Sequence, residues 1–168
     1  GWFGFNAGSG LEGSSSLGRL CVNTAVGGGA GCLAGMAMFW ILRGIPNVMV
    51  ALNGILGGLV GVTAGCDVIN PIGAVVIGAI AGLISTSGAI LLEKARLDDV
   101  AGAVPVHLFN GIWGTLAVAI FHENGINLNQ LGIQAFGTLA ICIGAFSVAL
   151  VLFKVIDIFI GLRADEDD

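Results

Sequence analysis

Three short stretches of this sequence hold the residue types that could do chemistry. The first is His107, eighth in the 22-residue run VAGAVPVHLFNGIWGTLAVAIF (residues 100–121). A histidine in so long an apolar run faces an interior cavity or pathway, because an ionisable group against hydrocarbon is costly. Low dielectric disfavours imidazolium, so the ring is expected neutral, able to donate one hydrogen bond and accept another. Pro105, two residues earlier, has no N–H and loosens the local backbone, which helps to re-aim the ring. The competing role is a histidine bonded to a neighbouring helix for packing alone. The second stretch is the opening GWFGFNAGSG. Phe5 and Ser9 are four apart and share a helix face. A ring and a hydroxyl together suit a small cation, through cation–π attraction and one hydrogen bond. Trp2 belongs to the same motif, although Trp2, Phe3 and Phe5 also fit an interfacial aromatic belt. The third, a weaker pattern, is the charged loop EKARLDD, where Asp98 and Asp99 read as helix capping or solvated charge.

Other chemistry finds no support. The Gly27–Gly29 triple has neither a preceding strand nor a P-loop lysine. Cys21, Cys32, Cys66 and Cys142 form no CxxC pair and read as small packing residues. No Ser/His/Asp set or metal-spaced cluster occurs, so neither an enzyme nor a cofactor is expected. His122 borders HENG and is expected to be solvated.

The elements that must position these residues are membrane helices. The 168 residues are 56% hydrophobic and 10% charged, with a mean hydropathy of +0.99. A soluble domain carries about 25% charge. Lys and Arg total 6 and the net charge is −5, which argues against nucleic-acid binding. Leu20–Leu42 contains no charge at all, and about 20 apolar residues span a bilayer. Four further runs follow: Asn47–Cys66, Ile72–Leu92, Val100–Phe121, and Gln130–Phe153 extended to about Gly161. Each is expected to cross, after an opening helix end and a polar loop, LEGSSSLGR. Barrel strands would need two-residue alternation, which is absent. Glycines recur four apart at Gly27, Gly31 and Gly35, at Gly57, Gly61 and Gly65, and at Gly78 and Gly82, so the bundle is expected to pack closely. Arg43, Lys94, Arg96, Lys154 and Arg163 fall on one side of the five spans, against Arg19 on the other. That bias puts the first group and the C-terminus in the cytoplasm. The chain opens without Met or a basic leader and ends in an acidic run, as a piece of a longer protein would.

GWFGFNAGS, VNTA (22–25), GLVGVTAGCD (58–67), DDVAGAVPVHLFNGIWGTLAV (98–118) and the terminal GLR-plus-acid tail resemble, in order, the C-terminal half of the ammonium transporter (Amt/Mep/Rh) family. The resemblance implies an all-α integral membrane bundle, with residues 1–168 as one part of a single membrane domain: the end of helix six and helices seven to eleven. It implies a homotrimer with one pore per subunit in the cell membrane, and a PII-type regulatory partner at the cytoplasmic face. It makes Phe5 a gate phenylalanine, Ser9 the outer-vestibule hydroxyl and His107 the second of two pore histidines, in a pore that recruits ammonium and conducts ammonia. Two departures stand out. Val100-Ala101-Gly102-Ala103 lacks an aspartate common in relatives, and Ile45 stands where a basic residue is common. An ammonium-sensing module of a signalling protein is the alternative.

Overall fold

A computed structural model describes residues 1–11, 13 and 16–162. Arg163 and the acidic tail lie outside the described residues. All regular elements among them are helices: α1 (Trp2–Asn6), a 3-10 turn (Gly8–Gly10), α2 (Ser16–Arg43), α3 (Val48–Thr63), α4 (Pro71–Lys94), α5 (Asn110–Phe121) and α6 (Leu128–Phe159). The helix α5 is entered through a π-helical turn, Val104–Phe109.

The boundaries follow from local chemistry. Gly44, at φ +78°, ends α2 in the left-handed region that glycine tolerates. The Asn47 side chain then caps α3 by accepting from the backbone N–H groups of Met49 and Val50. Asn70 caps α4 through the Gly73 N–H, with Pro71 at the first helical position, and Asn127 caps α6 through the Gln130 N–H. Asp99 accepts from the Ala103 and Val104 N–H groups at 2.8 and 2.9 Å, so the expected cap exists and opens the π-helical turn.

Two expectations about length are corrected. The second run forms a shorter helix than Asn47–Cys66: α3 has 16 residues and ends at Thr63, because Ala64–Val68 turn, with the N–H groups of Val68 and Ile69 both bonded to the Gly65 carbonyl. At about 1.5 Å per residue, α3 falls short of a hydrocarbon core of roughly 30 Å. The other four, counting Val104–Phe121 as one, are long and apolar enough to cross. The polar loop is also shorter than LEGSSSLGR, since α2 begins at Ser16.

The centre is a stack of α2, α3 and α4. Leu20, Asn23, Thr24, Gly27, Gly28, Gly31 and Gly35 form one buried stripe along α2. A Cβ built on Gly31 would collide with the Gly54 carbonyl of α3, and one on Gly82 with the Gly31 carbonyl. The backbones meet directly, as the glycine spacing predicts. Gly61 and Gly114 make a second such approach, between α3 and α5. Val62, Ile69, Ala74, Ile77 and Ala117 form the apolar core beneath, flanked by Trp113, whose indole N–H donates to the Ile77 carbonyl at 3.1 Å. Ion pairs mark the two ends: Arg19 with Glu123 at 2.8 Å, and Arg43 with Glu93 at 3.0 Å.

Candidate functional site

The opening motif folds as one helical turn fastened by its polar groups. The Trp2 indole N–H donates to the Thr63 hydroxyl at 2.9 Å, at the end of α3. That bond ties α1 to the end of α3. The Asn6 amide donates to the Thr24 hydroxyl at 3.1 Å and lies 3.8 Å from the Cys66 sulfur. Thr24 in turn donates to the Leu20 carbonyl at 2.6 Å. Asn6, Thr24 and Cys66 are buried. In an apolar interior, polar groups of this kind stay only where they are bonded.

With Trp2 and Asn6 fixed, Phe5 points outward. It is 62% exposed, and its ring centre lies 5.9 Å from that of Trp2. The Ser9 hydroxyl donates to the Phe5 carbonyl at 2.5 Å. Its proton is thus committed to the backbone, and its lone pairs are left to accept. Phe5, Asn6, Ser9, Thr63, Cys66 and Asp67 line a pocket of about 280 Å³. Here Phe5 and Ser9 come together as their spacing predicts, with an aromatic ring, hydroxyl acceptors and the Asp67 carboxylate on one wall. A ring face, hydroxyl lone pairs and a carboxylate are groups of the kind that attract a small cation.

His107 is elsewhere. It sits inside the π-helical turn and lines a groove of about 330 Å³ between α5 and α6, with Leu108, Gly111, Thr115, Gln134 and Thr138. The ring is exposed to that groove and makes no hydrogen bond among the described residues. His122 does more than meet solvent: it pairs as an isolated antiparallel bridge with Ile69, and its Nδ1 accepts from the Asn124 N–H at 3.1 Å.

Sequence reasoning missed Asn6, Thr24, Thr63, Asp67 and Asn110. Asn6 and Asn110 carried a usable signal, since a carboxamide beside a candidate site in an apolar run must be bonded by something.

A glycine-seamed bundle of membrane-length helices defines a multi-pass membrane fold. Residues 1–168 match the Ammonium Transporter Family throughout, and the chain belongs to that family. It is 45% identical over 170 residues to a putative ammonium transporter of Synechocystis sp., covering 97% of this chain and 38% of that protein. It is 37% identical over 185 residues to the ammonium transporter Amt2 of Archaeoglobus fulgidus, covering 100% and 40%. The chain thus spans about two fifths of the length of these curated relatives. Among solved structures it superposes on a sensor Amt protein with a TM-score of 0.92 at 32% identity, covering 98% of this chain and 42% of that one. On Mep2 of Candida albicans the TM-score is 0.90 at 25% identity, covering 99% and 40%. The all-helical, multi-pass membrane fold expected from the sequence is the fold observed.

Proposed function

We propose that this chain is the C-terminal part of a protein that moves ammonium across a membrane. The observation that carries the reading is the match to the Ammonium Transporter Family along all 168 residues. In this reading Phe5 and Ser9 receive ammonium at the outer mouth, with Trp2 holding α1 in place. The ring face meets the cation, and the Ser9 lone pairs accept one N–H. Potassium resembles ammonium in size and charge, so the mouth alone discriminates poorly. Discrimination comes further in, where an apolar path strips potassium of its water and offers nothing in return. Ammonium can leave its proton and cross as ammonia past a neutral imidazole, the role assigned to His107.

The remaining pore wall and a second histidine belong to the first part of the protein, and the assembly is a trimer with one pore in each subunit. The membrane is the cell membrane. The end carrying Arg43, Lys94 and Arg96 faces the cytoplasm, supported by the excess of basic residues there, and is the face a PII-type regulator would meet. A second reading is an ammonium-sensing module, favoured by the 32% identity to a protein described as a sensor Amt protein.

The test is a pair of electrical recordings, in ammonium and in potassium, on a full-length transporter carrying these residues. His107→Asp places a carboxylate on the path, offsetting part of a cation's dehydration cost, and is expected to pass potassium. His107→Ala is expected to lower ammonium current without admitting potassium. Unchanged ammonium current and no potassium current in either variant would return His107 to packing.

A further inference from the structure

The turn that carries His107 is bonded to a buried amide. Asn110, three residues on, is completely buried among α3, α4 and the π-helical turn. Its Nδ2 donates to the Ser85 hydroxyl of α4 at 2.7 Å and to the Pro105 carbonyl at 3.0 Å. Pro105 is five residues back. In an α-helix the groups stacked over residue 110 are those three and four positions earlier. The reach to i−5 spans the π-helical turn Val104–Phe109, in which residue i+5 lies over residue i.

Two further observations show that the structure makes room for this contact. Gly57 of α3 lies against it: a Cβ built there would collide with Ser85 Oγ and lie 2.6 Å from Asn110 Nδ2. Among the described residues, the side-chain oxygen Oδ1 of Asn110 is buried with no hydrogen-bond partner. An amide half unsatisfied in an apolar core is a net cost. The cost is spent where the backbone departs from α geometry, and His107 lies inside the departure.

We propose that Asn110 and Ser85 are positioning residues for His107: their hydrogen bond pins the π register of Val104–Phe109 and thereby sets where the imidazole points. One residue more or less in a turn rotates what precedes it by about 100° relative to α5. In α register the ring would leave the groove it now lines with Gln134 and Thr138, while α5 itself kept its seat on Trp113 and Gly114. Asn110 touches no transported species. It acts through the angle of the histidine. The proposal rests on the reading of His107 as the imidazole of the ammonium path.

The experiment uses a full-length transporter carrying these residues and its Ser85→Ala, Asn110→Ala and His107→Ala variants, with Asn110→Ala also made in the His107→Ala background. Ser85→Ala changes little volume and keeps the test alive if Asn110→Ala fails to fold. Two quantities are read: the imidazole nitrogen resonances of His107, and ammonium current per folded channel. Release of the ring should shift or broaden the His107 resonances in Ser85→Ala and lower the current about tenfold, the scale of one lost buried hydrogen bond. In the His107→Ala background, Asn110→Ala should cost no further current, because there is no ring left to aim. Unmoved His107 resonances in Ser85→Ala, or an undiminished loss of current in the His107→Ala background, would overturn the proposal. Shifted resonances together with unchanged ammonium current in His107→Ala would uphold the pin and overturn the reading of His107.

Discussion

The stack of α2, α3 and α4 and the long helix α6 are alike in composition and opposite in packing. Both are apolar and both carry glycine. In the stack, glycines sit where one backbone meets the next, and Gly31, Gly54, Gly58, Gly78 and Gly82 each lie against a neighbouring main chain. In α6, Gly132, Gly137 and Gly144 have nothing near them, and none of the 32 residues is buried. Phe136, Ile141 and Phe146 are all at least 70% exposed. A surface of that kind suits lipid and not water. Glycine content alone therefore does not identify a packed helix. Glycines four apart on two helices that can face each other do.

The sharpest way to break the comparison is to add bulk. Gly31→Val forces a side chain into the Gly54 carbonyl, and a backbone cannot turn aside as a side chain can. Loss of about 3 kcal/mol or more is expected, enough to remove folded protein. Gly144→Val in α6 should leave yield and melting temperature near the parent's. Size-exclusion profiles and thermal melts of a full-length transporter carrying these residues, in detergent, measure both. Equal damage at the two sites would mean that α6 is packed as tightly as the stack.

Removing a buried polar link comes next. The Asn23 amide donates to the Cys66 and Ile69 carbonyls, each at 2.9 Å, and ties α2 to the turn that ends α3. Asn23→Leu leaves two buried carbonyls without that donor, at about 2–3 kcal/mol. Ser147→Ala in α6 removes only a bond to the Ile143 carbonyl of its own helix and should be nearly silent in the same melts.

Helix caps give a smaller contrast. Asn70→Ala should cost about 1 kcal/mol, because α4 cannot fray without disturbing its seam with α2. Asn127→Ala removes an equivalent cap, but α6 can lose its first turn while the stack stays intact. Amide exchange should therefore rise along α4 in the first variant, and only at the start of α6 in the second.

The same contrast explains what could be read from the sequence. The five runs were visible because charge and turn signals bound them. Close backbone packing was visible because Gly31 and Gly82 lie on four-residue ridges, although which ridge meets which was not. The short α3 was not, because Ala64-Gly65-Cys66 is as apolar as the helix before it and turns only through bonds to the Gly65 carbonyl. Nor was the π-helical turn: uniform apolar composition carries no phase from which an extra residue per turn could be detected. Pro105 pointed to a loosened backbone there but not to its register. In the opening motif, the spacing of Phe5 and Ser9 was legible. The bonds that fix them were not, since Trp2–Thr63 and Asn6–Thr24 join residues 61 and 18 apart in the chain.

The smallest effect is also the one whose sign separates the two regions. Gly144→Ala adds a methyl group where nothing lies within 4 Å, so it meets no clash. It also removes backbone freedom that glycine must lose on forming a helix, a gain of up to about 1 kcal/mol in water. Within a bilayer or detergent the unfolded reference is itself partly helical, so less of that gain survives. A rise of about 1 °C in melting temperature is expected. Gly82→Ala makes the same chemical change in α4, where the new methyl would strike the Gly31 carbonyl. There the contact outweighs the propensity and the melting temperature should fall by several degrees. Paired melts of the two variants decide the matter by sign, free of any absolute scale. A fall in both would show that the open face of α6 is closed against protein in the assembled transporter, and the contrast between α6 and the stack would fail at that position.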